Sequence, residues 1–330
     1  LIKSKIRRII MLNNNFNLPG KVAIVTGGGG VLSGVFAEAL ASNGAKVALF
    51  DINEEATNKA AQRLTNNGCI AKGYRADVLD ADSISAAYEQ VKQDFGTCDI
   101  LLNCAGVHHP MATTGHEQLT LENMNDDTRS FFDLDLEKVN WVYRLEFIGT
   151  FIPTQIISKD MVGREGCSII NISSMNAISP TTTVPIYSAA KAGISNFTAW
   201  LANYFALVGI RVNALAPGFF VTNLNRNIMY HEDGTLTGRS ERILAGTPVG
   251  RFGDPQECAV TLLYLVRLQR LLRCVIIPYQ AGAKAGQAFP YRYGMWWLGN
   301  RQKYRKALRL SRRTTAGKER MHCCVLCWKP

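Results

Sequence analysis

Apolar runs of four to six residues alternate along this chain with longer segments in which apolar positions recur every three or four residues. The first pattern marks strands buried on both faces, and the second marks helices with one inward stripe. Strands are predicted on this basis at 21–26, 46–51, 70–77, 99–104, 167–173 and 211–216. Helices are predicted at 31–43, 54–66, 82–95, 135–161 and from the segment around Tyr187 to about 207. From 108 to 133 the chain is polar and follows neither period. Alternating strands and helices specify a parallel sheet covered on both faces, so the expected fold is α/β: a doubly wound, Rossmann-like single domain. There is no internal repeat, and no run approaches the roughly 18 apolar residues of a membrane span.

Composition changes this picture only at the ends. With 330 residues, 47% of them apolar, the chain can bury one large core. The formal net charge of +11 is unevenly distributed: residues 266–330 hold 15 Lys and Arg against one acid, Glu319, whereas residues 1–265 hold 22 basic and 25 acidic residues. The basic balance therefore belongs to the tail and says nothing of a nucleic-acid partner for the domain. Residues 1–10 are basic without the apolar core of a signal peptide, and Met11 reads as a natural start. The expected division is a non-native or disordered leader at 1–10, a dinucleotide-binding catalytic domain at 11–265 and an aberrant tail at 266–330. Cys69, Cys98, Cys104 and Cys167 fall in or beside predicted strands and read as buried, reduced thiols, which points to the cytoplasm.

Two clusters carry candidate chemistry. The first strand runs into Thr26-Gly27-Gly28-Gly29-Gly30 and then a helix, the turn in which glycines let the backbone approach a pyrophosphate at a helix N-terminus. The second strand ends on Asp51, at the distance where a carboxylate holds a ribose hydroxyl pair and repels a 2′-phosphate, so NAD is expected over NADP. In the second cluster Ser174 lies thirteen positions before Tyr187, and Lys191 lies one helical turn beyond it on the same face. An ammonium beside a phenol favours the phenolate, so Tyr187 is expected to have a lowered pKa and to act as acid and base while Ser174 holds the substrate oxygen.

Through these motifs the chain resembles the short-chain dehydrogenase/reductase family over residues 18–265. The resemblance runs through Thr26-Gly27 and the glycine turn, Asp77-Val78, Asn103-Cys104-Ala105-Gly106, Ser174, Tyr187, Lys191, Pro217-Gly218 and Thr222. It implies a cofactor site built from Gly27, Gly29, Gly30, Val31, Leu32, Asp51, Asp77, Val78, Asn103, Ala105, Gly106, Tyr187, Lys191, Pro217, Gly218, Val221 and Thr222. Asp77 and Val78 would lie by the adenine, Val221 and Thr222 by the nicotinamide carboxamide, and Lys191 on the nicotinamide ribose. Segments such as Asn171-Ile172-Ser173-Ser174-Met175-Asn176-Ala177 and Ala216-Pro217-Gly218-Phe219-Phe220 are similar to the mannonate/fructuronate oxidoreductase branch, which implies a sugar acid or a related polyol as small-molecule substrate. The resemblance also implies a homo-oligomer, provided that the C-terminus is native-like.

Several residues depart from the family pattern or have two readings. Glu146 stands where the family has an asparagine that helps relay protons to the lysine. A carboxylate there can accept the same hydrogen bonds or pair with Lys191 and weaken its hold on Tyr187. Ser33 stands where a glycine is usual and is expected to crowd the turn. His109 and Asn176 are the candidate substrate contacts; exposed histidine and turn-capping asparagine are the plain alternatives, and His108 is the weaker of the two histidines. Arg226, in a lid at 224–247, can meet a carboxylate or be a solvated charge. The family's Thr-Gly and Asp-Gly-Gly around its last strand are missing, although Val275-Ile276-Ile277-Pro278 still reads as that strand, and a frameshift near Val266 is the expectation. His322 with Cys323, Cys324 and Cys327 has zinc-like spacing but lacks a second ligand pair, so no metal is expected. The rival readings are a cofactor-binding but impaired scaffold or sensor, and a nucleic-acid binder acting through 301–320.

Overall fold

The computed structural model describes residues 16–180, 183–222, 225–247, 249–267 and 276–279. The leader 1–10, the basic residues of 301–320 and the His322/Cys323/Cys324/Cys327 group lie outside them. Seven strands form one sheet in the order β3-β2-β1-β4-β5-β6-β7, every neighbouring pair parallel. They are β1 Val22–Thr26, β2 Lys46–Asp51, β3 Ala71–Arg75, β4 Ile100–Asn103, β5 Ser168–Ile172, β6 Arg211–Pro217 and β7 Ile276–Tyr279. Among the α-helices, α1 is Val31–Ser42, α2 Glu54–Asn66 and α3 Ala81–Asp94. Next come α4 Leu136–Tyr143, α5 Gly149–Ile157 and α6 Pro185–Tyr204, followed by the short α7 Arg226–Met229, α8 Gly238–Ala245 and α9 Pro255–Arg267.

Strands at the centre read as unbroken apolar runs because helices cover both of their faces. Every residue of β1, β4 and β5 is buried, whereas only Tyr74 is buried in the edge strand β3. Successive residues feed two cores. Val25 and Leu49 pack with Phe36 and Leu40 of α1 and with Leu262 of α9 on one face. Ile24 and Phe50 pack with Ile84 and Val91 of α3, Ile157 of α5 and Leu201 of α6 on the other. Each such fully buried side chain contributes roughly 1.5–3 kcal/mol from apolar transfer.

Several helix starts are set by side-chain caps. The Asn53 side chain accepts from Ala56 N at 3.0 Å and fixes the start of α2 directly after Asp51. At the other end of the fold the Arg211 guanidinium donates to Leu265 O and Val266 O, both at 2.6 Å, closing the last turn of α9 onto β6. β7 then pairs with β6 from Ala214↔Ile276 to Pro217↔Tyr279, where the apolar run Val275–Pro278 placed it. Among the described residues no helix is long and apolar enough to cross a membrane.

The expected helix 135–161 is interrupted. Between α4 and α5 the chain makes a π turn at Arg144–Ile148, and a 3-10 turn Ser158–Met161 follows α5. The π turn buries Glu146 completely, and such turns often mark functional positions. The chain order also reverses between β1 and β4, the place where doubly wound sheets bind ligands beyond their carboxyl ends.

Candidate active site

The carboxyl edge of the sheet gathers both clusters. β5 ends at Ile172 and passes through Ser173 to Ser174, which caps a 3-10 turn Met175–Ala177 by accepting from Asn176 N at 3.1 Å. Pro185 opens α6, and Tyr187 and Lys191 follow one turn apart. The lysine folds back towards the tyrosine, its Nζ 5.5 Å from the phenol ring centre. That ammonium is buried; it donates to Ile172 O at 2.8 Å and so ties α6 to the end of β5.

A second partner for Lys191 comes from the π turn. Glu146 Oε2 lies 2.7 Å from Lys191 Nζ with both side chains removed from solvent. Neither carboxylate oxygen meets a donor in good line, including the nearby Val107 N–H, so the pair is held chiefly by charge. Burial raises the Glu146 pKa even against the attraction of Lys191. For Lys191, burial acts downward, but Glu146 and Tyr187 together lift it above the ordinary lysine value. A Cβ at Gly106 would lie 2.5 Å from the Glu146 carboxylate, so a side chain at position 106 would have to displace it.

This arrangement corrects the expectation for Tyr187. Lys191 and Ser174 do pull the phenol pKa down, as expected, but burial of the phenol outweighs them and Glu146 adds to the rise. The net direction is upward. The direct Glu146–Lys191 pair is one of the two outcomes anticipated for that substitution, and it divides the lysine's charge between a carboxylate and a phenol.

On the other side of the reversal point, the glycine turn is shaped by near contacts. Gly27 has φ +66°, and a Cβ there would meet Ala105 Cα at 2.8 Å. A Cβ at Gly28 would meet Leu49 Cβ at 2.7 Å, and one at Gly29 would meet Ala56 Cβ at 2.8 Å. Thr26 Oγ1 accepts from Cys104 N at 3.0 Å and Ala105 N at 3.1 Å, joining β1 to the segment after β4. Asp51 Oδ2 accepts from Gly29 N at 3.0 Å, which sets the acid at the lip of the turn. No side chain caps the N-terminus of α1 at Gly30. A backbone cradle that Cβ atoms would fill, an open helix N-terminus and a carboxylate beside it fit a dinucleotide. Ser33 does not block the cradle: it is buried, and its hydroxyl donates to Gly27 O inside the turn.

Other predicted cofactor residues occupy the same edge. Asp77 follows β3 and accepts from Leu79 N at 2.8 Å, and Val78 packs where a Cβ on Gly149 would approach to 2.9 Å. The Asn103 side chain is spent on a buried brace, donating to Thr154 Oγ1 at 2.8 Å and to Asn171 Oδ1 at 2.9 Å, and Asn171 donates on to Thr198 Oγ1. Asn103 Oδ1 is buried and has no hydrogen-bond partner.

A cavity of about 910 Å³ opens between these elements. Ser174, Asn176 and Tyr187 line it, together with Leu32 of α1, Pro217 at the end of β6, and Gly218 and Thr222 beyond it. Val221 is not on its wall. Two loops cover it: residues 107–135, and 225–247 with α7 and α8. Arg242 Nε meets Glu117 Oε1 across them at 2.9 Å.

One expected substrate contact, His109, does not reach the cavity. His108, not His109, faces the cavity. The His109 ring accepts from Met111 N at 3.1 Å and stacks edge-on against Trp141, so it braces the loop. Burial, followed by Arg239 and His109, lowers the His108 pKa. Arg226 does not line the cavity either; its guanidinium sits 5.4 Å over the Tyr230 ring. The arginines on the wall are Arg129, which donates to Pro110 O, and Arg239 of α8, which the sequence offered no means of distinguishing from Arg226 or Arg242.

The profile described as short chain dehydrogenase matches residues 21–233. An oxidoreductase of Haemophilus influenzae, itself uncharacterized, is 46% identical over 273 residues, covering 82% of this chain and 95% of the relative. Bacillus subtilis UxuB, also an uncharacterized oxidoreductase, is 45% identical over 249 residues, covering 76% and 88%. A solved structure of a Haemophilus influenzae protein, provisionally called a D-mannonate oxidoreductase and carrying bound NAD, superposes with a TM-score of 0.77 at 46% identity, covering 81% of this chain and 95% of that one.

Proposed function

The chain belongs to the short-chain dehydrogenase family, and from that premise we propose that this oxidoreductase uses NAD(H) to interconvert a secondary alcohol and a ketone on a sugar acid of the mannonate/fructuronate kind. The observation that carries the reading is the cavity on whose wall Ser174 and Tyr187 meet Leu32 of the glycine-turn helix and the Pro217–Gly218 segment. Bound NAD in a relative with 46% identity supports the cofactor, and that relative's provisional description supports the substrate.

In the forward reaction Tyr187 takes the proton of the alcohol as the carbinol hydrogen leaves as hydride; in reduction it returns the proton to the oxygen. NAD, when bound, accepts or supplies that hydride. Ser174 Oγ donates to the substrate oxygen and stabilises the charge that builds on it. Lys191 is fixed by Ile172 O and by Glu146, and its charge acts on the phenol through space. Gly27, Gly29 and Gly30 with Asp51 would hold the cofactor's pyrophosphate and ribose ends, and Lys191 the nicotinamide ribose. Substrate held against these groups reacts as in a unimolecular step.

A spectrophotometric screen of hexonates and ketohexonates with NAD(H) and NADP(H) tests the reading. Turnover of at least one acid pair with NAD(H) is expected, and failure on every acid while a neutral polyol turns over would overturn the substrate class. A second reading, a cofactor-binding protein with impaired turnover, is favoured by the Glu146–Lys191 pair. NAD binding without any turnover selects it.

Cofactor preference gives a separate prediction. The Asp51 carboxylate repels a 2′-phosphate, so Asp51→Ser is expected to lower the ratio of kcat/KM for NAD over NADP by on the order of tenfold to a hundredfold. An unchanged ratio would show that the acid does not meet the ribose.

A further inference from the structure

Building on the sugar-acid reading, we propose that Arg239 receives the substrate carboxylate and so sets the preference for acids over neutral polyols. Arg239 stands in the first turn of α8 and lines the cavity that holds Tyr187, Ser174 and His108. Its guanidinium is anchored on one side only: Nη1 donates to Thr183 Oγ1 at 3.0 Å. Nε is buried and has no partner, and no carboxylate lies within ion-pair distance among the described residues. A guanidinium held in this way keeps its Nε–Nη2 edge free, the fork that fits two carboxylate oxygens.

The other arginines near the cavity are already engaged. Arg129 donates to Pro110 O, Arg242 is paired with Glu117, and Arg226 lies over Tyr230. Of the acids on the wall, Asp126 is paired with His116 at 2.7 Å and Asp133 is bound by Ser130, which leaves Asp127 exposed to solvent. Burial pulls the Arg239 pKa down, offset in part by the distant charge of Glu117. A half-buried cation without an ion-pair partner is costly, and an entering carboxylate relieves that cost. Arg226, weighed from the sequence as either a carboxylate contact or a solvated charge, is off the wall, and Arg239 is on it.

The test compares one acid with its own neutral derivative. With the hexonate identified by the screen and its primary amide as paired substrates, kcat and KM are measured for wild type, Arg239→Met and Arg239→Lys. For Arg239→Met the ratio of kcat/KM for acid over amide is expected to fall about a hundredfold, mostly through KM for the acid, with partial recovery in Arg239→Lys. NAD affinity, measured by direct titration, reports whether each variant is folded, and Arg239→Lys keeps the test alive should the methionine variant fail to fold. An equal loss on acid and amide, or a preference untouched by both variants, overturns the proposal. Wild type that turns over polyols but no acid instead overturns the sugar-acid reading, before any variant is compared.

Discussion

Tyr187→Phe is expected to lower turnover in both directions by about a thousandfold while NAD affinity stays near that of wild type. The substitution removes one hydroxyl and keeps the ring under Lys191 Nζ, so the buried pair behind it is undisturbed. The pH dependence carries further information. Burial, against Lys191 and with Glu146, holds the phenol pKa above its ordinary value. At neutral pH the group is therefore protonated, ready to donate in ketone reduction and short of the base needed for alcohol oxidation. Oxidation should then rise with pH through the neutral and mildly alkaline range, whereas reduction stays level until the phenol ionises and then falls. Initial rates in both directions across that range check the sign; oxidation that is level or falling there, or a phenylalanine variant retaining more than a tenth of the activity, would sink the assignment.

Glu146→Asn should make the protein less stable and the enzyme faster. Removing one partner of a buried ion pair leaves the other charge uncompensated, here Lys191, at a cost of about 3 kcal/mol. For a domain of this size that is roughly 6–12 °C in Tm. The lysine keeps its bond to Ile172 O, which limits the loss. The same change removes the carboxylate that raises the phenol pKa, so the rise of oxidation moves to lower pH and turnover at neutral pH increases several-fold per folded molecule. Thermal melts and rates normalised to NAD-binding sites separate the two effects. A rate that is unchanged or lower, with no movement of the pH profile, means that Glu146 serves the relay as well as an asparagine would.

Much of the frame is legible because local and global signals agree. β2 and α2 fall on their predicted bounds, since an apolar strand stops at Asp51 and Asn53 caps the helix two residues later. The glycine turn and the Ser174, Tyr187 and Lys191 set were also legible, because each depends on spacing within one or two elements. The π turn was not, for its sequence continues a helical period and only the burial of Glu146 against Gly106 and Lys191 shows the change of pitch. The net shift of Tyr187 escaped for the same reason: the lysine's pull is local, while desolvation and the opposing carboxylate come from the assembled fold. Which of His108 and His109 faces inward, and which arginine of the cover reaches the cavity, depends on loops whose course follows tertiary contacts with Trp141, Tyr230 and Thr183 rather than any period.

The Arg242–Glu117 contact joins the two flaps over the cavity, and both side chains are largely open to water. Exposed pairs of this kind are worth about 0.5 kcal/mol, which favours the joined arrangement only about twofold over the parted one. So weak a latch adds little to the cost of parting the two segments, and counter-ions at raised ionic strength weaken it further.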